Sequence, residues 1–89
     1  MDRDGLIRHV MEDGASPEKW AEMRELEALL GHEIDRLPEK QKLVLSLYYY
    51  EDMNMKEIAE VLGITEARIS QIHSQAILSL RTYIKKRVK

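Results

Sequence analysis

An all-α fold of about four helices, ending in a helix-turn-helix with a long final helix, is predicted by three features of the eighty-nine residues. Apolar residues recur at steps of three and four rather than two. Each boundary between periodic stretches carries a capping residue, a glycine or a proline. The composition is rich in Leu, Ile, Glu, Lys and Ala, with four Gly, two Pro and no Phe, which favours short helices over sheet. A chain this short buries only about two thirds of its unfolded surface, so one small domain with a thin core is expected.

Residues 1–15 hold two glycines, scattered acids and no sustained period, and are expected to be a linker or frayed leader; residues 16–89 form the domain. Ser16-Pro17 offers a hydroxyl N-cap followed by a proline where a missing N–H costs nothing. The first helix follows, with Trp20, Met23, Leu26, Leu30 and Ile34 on one stripe, and it reaches about Arg36. Gly31 lies inside it and marks a site for a bend or break. Leu37-Pro38 ends that helix and starts a second, which runs to about Tyr50 with Leu43, Val44, Leu47 and Tyr48 facing inward. The run Tyr48-Tyr49-Tyr50 cannot all face one way, so one or two rings pack and another lies at the surface.

Asn54-Met55-Lys56-Glu57 is a capping box that starts a third helix at Met55, and Gly63 supplies the left-handed residue that stops it. Thr65 caps the fourth helix, with Ile64 and Ile69 as its hydrophobic staple. From Ile69 the inward set continues through Ile72, Ala76, Ile77, Leu80 and Ile84 towards the C-terminus.

The total charge of −2 argues mildly against binding a polyanion, but its distribution does not. Residues 1–36 carry net −5, residues 37–65 net −2 and residues 66–89 net +5, so an acidic front hides a basic end. With no Cys there is no disulfide framework or thiolate metal site, and a reducing cytoplasm fits. The apolar runs fall far short of the ~20 residues that span a bilayer, and the acidic N-terminus lacks the regions of a signal peptide. A soluble cytoplasmic protein with no membrane partner is expected. His9, His32 and His73 are far apart and lack metal-ligand spacing, and His73 fits a partly buried structural role. The helical acids have no deep cleft to shift their pKa values, so no enzyme, cofactor, metal site or small-molecule substrate is expected.

Residues 55–74, MKEIAEVLGITEARISQIHS, meet the steric demands of a DNA-binding helix-turn-helix. Ala59 is small where the two helices cross, Gly63 makes the turn, and Ile58, Leu62, Ile64, Ile69 and Ile72 lock them together. That leaves Glu66, Ala67, Arg68, Ser70, Gln71 and Ser74 outward at the start of the last helix. Arg68 and Gln71 can make bidentate contacts to bases or phosphate, and Glu66 can accept from cytosine.

The stretch LPEKQKLVLSLYYYEDMNMKEIAEVLGITEARISQIHSQAILSLR, residues 37–81, resembles the fourth domain of flagellar-type bacterial RNA polymerase sigma factors, and SPEKWAEMRELEALLGHEIDR resembles that domain's lead-in helix. The resemblance implies major-groove binding at the minus-35 promoter element. By position it implies base contacts at Glu66, Ala67, Ser70 and Gln71, with Arg68 nearby, and backbone contacts at Lys40, Asn54, Met55, Thr65 and Gln75. Ser70 and Gln75 stand where housekeeping sigma factors have basic residues, which implies weaker or redirected contacts. It further implies that exposed apolar residues among Met23, Leu43 and Leu47 cradle a helix of the polymerase β-subunit flap, and that an anti-sigma factor is a possible partner. The family's upstream domains are not in these residues, so a fragment or a truncated product is expected. Two alternatives remain at this level: the effector domain of a response regulator, and a protein-interaction module whose acidic front binds polymerase or an anti-sigma factor.

Overall fold

The computed structural model describes residues 3–10 and 23–87, and all of their regular structure is helical. Helix α1 is Arg3–Val10, α2 is Met23–Asp35, α3 is Glu39–Leu45, α4 is Met55–Leu62 and α5 is Glu66–Arg87. Among the described residues there is no strand, and no helix is long and apolar enough to cross a membrane. Twenty-two residues at ~1.5 Å each make α5 about 33 Å long, most of the molecule's 40 Å axis, so α5 is the spine on which the rest is hung.

The core has two parts along that spine. Val44, Ile58, Ala59, Ile69 and Ile72 form the helix-turn-helix core. Leu6, Val10, Leu30, Leu37, Leu45, Tyr49, Ala76, Ile77, Leu80 and Ile84 form a scaffold core around the rest of α5. Tyr48 packs against both. Helix α3 lies between the two, so Val44 enters one core and Leu45 the other.

That double duty corrects the expected stripe of the second helix. Leu43 is 40% exposed, while Leu45 and Tyr49 take inner positions and Leu47 is half-buried. The helix also widens into a π turn over Ser46–Tyr50, closed by the Glu51 N–H on the Ser46 carbonyl at 3.1 Å. The wider turn brings Tyr49 inside, leaves Tyr48 half-buried and puts Tyr50 outside. The chain leaves it through Asp52 at φ 59, a left-handed conformation that Asp tolerates better than most residues.

Two further expectations need correction. Residues Arg3–Val10, expected to be part of a linker or frayed leader, form α1, which buries Leu6 and Val10 against the π turn and α5. One apolar i,i+4 pair is too short a pattern to show a period, and tertiary burial supplies what the local sequence lacks. Helix α2 passes Gly31 without a break, and that glycine is exposed with open space where a Cβ would stand. The expected start at Ser16-Pro17 and the Trp20 position lie outside the described residues, as do the side chains of Met23 and Leu26.

Candidate nucleic-acid interface

Helix α4 begins as its sequence demands. The Glu57 N–H donates to the Asn54 side-chain oxygen and the Asn54 N–H donates to the Glu57 carboxylate, each at 2.8 Å. It ends at Gly63, φ 71, whose N–H donates to the Ala59 carbonyl at 2.8 Å; the Ile64 N–H reaches the same oxygen at 3.2 Å. A side chain at this φ would strain the backbone, so the sharp turn into α5 rests on glycine. Thr65 then caps α5, its hydroxyl accepting from the Arg68 N–H at 3.1 Å.

Burial of Ile69 and Ile72 against Val44, Ile58 and Ala59 fixes the roll of α5. With those positions turned in, Glu66, Ala67, Arg68, Ser70, Gln71, Ser74 and Gln75 are all exposed on the other side. Arg68 Nη1 donates to Gln71 Oε1 at 3.2 Å, which ties two outward side chains one turn apart and leaves the Gln71 amide hydrogens facing away from that bond. The face therefore offers guanidinium and amide donors, two hydroxyls and one carboxylate, the functional groups that pair with base edges in a major groove.

The backbone-contact candidates divide. Lys40 is exposed in the first turn of α3, and Gln75 is exposed on α5. Asn54 and Thr65 are exposed; their side-chain oxygens accept the helix-cap bonds, which leaves the Thr65 hydroxyl hydrogen and the Asn54 amide hydrogens as donors for a phosphate. Met55 is half-buried against the helix-turn-helix core. Of the three apolar partner candidates, Leu43 is exposed, Leu47 packs against the helix-turn-helix core, and the Met23 side chain lies outside the described residues.

Sequence reasoning missed a polar cluster where α1 meets the π turn and α5. His9 Nδ1 and His73 Nε2 both hydrogen bond to the Tyr49 hydroxyl, the latter at 2.6 Å. Arg81 closes the C-terminus of α1, its Nε donating to the Val10 carbonyl at 3.0 Å and its Nη2 to the His9 carbonyl at 2.7 Å. His73 is half-buried, and burial, followed by the neighbouring His9 charge, holds its pKa below a histidine's ordinary value. These contacts join positions 9, 49, 73 and 81, a separation that no local pattern reveals.

Residues 34–82 match the family model Sigma-70, region 4. RNA polymerase sigma factor FliA of Pseudomonas aeruginosa is 54% identical over 55 residues, covering 62% of this chain and 22% of that protein. The protein of the same name from Escherichia coli is 58% identical over 53 residues, 60% of this chain and 22% of its own length. RNA polymerase sigma-D factor of Bacillus subtilis is 43% identical over 70 residues, 79% of this chain and 28% of that protein. The chain thus spans roughly a fifth to a quarter of these relatives. No solved structure matches it significantly. A helix-turn-helix with this cap, this turn and this outward face, matched over more than half its length by one family, belongs to the sigma-70 region 4 family.

Proposed function

We propose that this domain binds promoter DNA at the minus-35 element and RNA polymerase core, acting in transcription initiation as the region 4 module of a sigma factor of the flagellar type. Region 4 is a binding module, and nothing in this role asks the chain for a catalytic step. The observation that carries the DNA reading is the exposed polar face of α5, Glu66 to Gln71, held outward by the burial of Ile69 and Ile72. In this reading Glu66, Ala67, Ser70 and Gln71 meet base edges, Arg68 reaches a base or phosphate, and Lys40, Gln75 and the amides near Asn54, Met55 and Thr65 meet the backbone. The basic stretch from Arg81 onward adds attraction to phosphate.

The polymerase reading is supported by Leu43, which α3 holds at the surface although it is apolar. A helix of the β-subunit flap is the partner of matching chemistry. Similarity to proteins named as RNA polymerase sigma factors supports both contacts, and the family match removes the response-regulator alternative.

Electrophoretic mobility shifts with minus-35 and scrambled duplexes, beside a pull-down on polymerase core, test the two contacts separately. The expected result is preference for the minus-35 duplex by the wild-type chain and loss of core retention in Leu43→Asp. Equal affinity for both duplexes would overturn the promoter reading, and undiminished retention of Leu43→Asp would remove Leu43 from the polymerase contact.

A further inference from the structure

His9, Tyr49 and His73 meet where α1 lies over the π turn and α5, on a flank that borders Asn54 and Ser74. Their rings sit at centroid separations of 5.6 Å for His9 and Tyr49, 5.6 Å for Tyr49 and His73, and 5.8 Å for His9 and His73. Both imidazoles bond to one phenol hydroxyl, which owns a single hydrogen. That hydroxyl can donate to one nitrogen while the other nitrogen donates to it. The arrangement holds with both imidazoles neutral, or with one of them charged.

A second proton changes the chemistry. Both facing nitrogens become donors, the hydroxyl loses each of them as an acceptor, and two positive charges stand side by side in a half-buried site. Among the described residues, the groups around the pair do not neutralise both charges. From the π turn the rings face the phenols of Tyr48 and Tyr49. From the following loop Asp52 lines the same concavity as His9 but is itself exposed, and can offset one charge at most. From α5 come His73 and Arg81, whose guanidinium is engaged with the His9 and Val10 carbonyls.

Helix α1 is eight residues long, too short to persist by itself in water, and Leu6, Val10 and the Arg81 bonds to its last carbonyls add to its attachment. We propose that α1 is a pH-sensitive strap, closed over the π turn and α5 while no more than one of His9 and His73 is protonated and released when both are. Release bares the apolar surface of Tyr49, Ile77 and Leu80, together with the flank where Gly5 and His9 border Asn54 and Ser74.

Amide hydrogen exchange on the full chain, followed from about pH 7.5 to about pH 5 and corrected for the intrinsic pH dependence of exchange, tests this across the imidazole range. Amides of residues 5–10 report the strap, and those of residues 69–72 serve as the internal reference. The opening of α1 should rise by up to about tenfold per pH unit for each proton that the open form binds and the closed form does not, and should exceed the opening of the reference at every pH. His9→Gln and His73→Gln should each flatten that slope. His9→Gln alone suffices should His73→Gln fail to fold, because His9 lies on the strap. Protection of α1 that does not vary with pH in the wild type, a slope in His9→Gln equal to that of the wild type, or an opening free energy of α1 equal to that of the reference throughout would each overturn the proposal.

Discussion

Ile69→Ala tests whether the DNA-facing roll of α5 is set by packing beneath it. Ile69 is 0% exposed and packs with Val44, Ile58, Ala59 and Ile72. The substitution removes three carbons, worth about 2.4 kcal/mol in transfer free energy at ~0.8 kcal/mol each. The cavity left behind adds to this, for a total of about 3 to 4 kcal/mol. A domain of this class is stabilised by only about 5–15 kcal/mol, so the loss is a large fraction of the whole. At ~4–8 °C per kcal/mol for a domain of this size, the melting midpoint should fall by roughly 12 to 30 °C. Thermal and urea denaturation followed by circular dichroism give both numbers. Val61→Ala, on the exposed side of α4 at 63% exposure, is the control and should change stability by no more than about 0.5 kcal/mol. A cost below about 1 kcal/mol for Ile69→Ala would mean that α5 is not docked as described.

Other substitutions probe the local rules. Gly31→Ala should stabilise by about 0.5–1 kcal/mol in urea denaturation, because the residue is helical, exposed and surrounded by open space; a loss would show that α2 does not run through that position. Asn54→Ala removes the side-chain arm of the capping box, leaving the backbone N–H arm to Glu57, and should cost about 1 kcal/mol by the same measurement, whereas an unchanged midpoint would contradict the cap. The pH dependence of unfolding follows from His73. Its folded pKa is depressed, so the unfolded state takes up the proton first, and stability is full above the ordinary histidine range and lost as the pH falls through it. His73→Gln should flatten urea midpoints compared between about pH 7.5 and pH 5.5, and a wild-type midpoint that rises on acidification would refute the assigned sign.

The helix-turn-helix was legible because its determinants are local. The Asn54 and Glu57 cap, the left-handed Gly63, the Thr65 cap and the Ile69 and Ile72 spacing act within a few residues of one another, and each stands in the structure where the pattern predicts. The exposed face of α5 follows from that spacing alone. Leu43 was misjudged because helical periodicity gives a single inward direction, whereas α3 serves two cores and its stripe is centred between Val44 and Leu45. The π turn has no simple signature in SLYYY, and it decides which tyrosine is buried. Helix α1 and the His9, Tyr49, His73 and Arg81 contacts were hidden for a related reason. They join residues up to seventy-two positions apart, and their stabilisation exists only after α5 has formed the surface they use.

In the proposed function α5 reads bases through its N-terminal face while Lys40 only anchors the backbone. Gln71 is exposed one turn into α5, at a depth where side chains reach base edges, and Lys40 is exposed at the start of α3. Wild type, Gln71→Ala and Lys40→Ala should therefore be titrated onto minus-35 and scrambled duplexes at two salt concentrations. Gln71→Ala should cost about 1–3 kcal/mol on the minus-35 duplex and little on the scrambled one. Lys40→Ala should weaken both alike and reduce the salt slope by about one. Equal loss on both duplexes for Gln71→Ala would contradict base reading by α5.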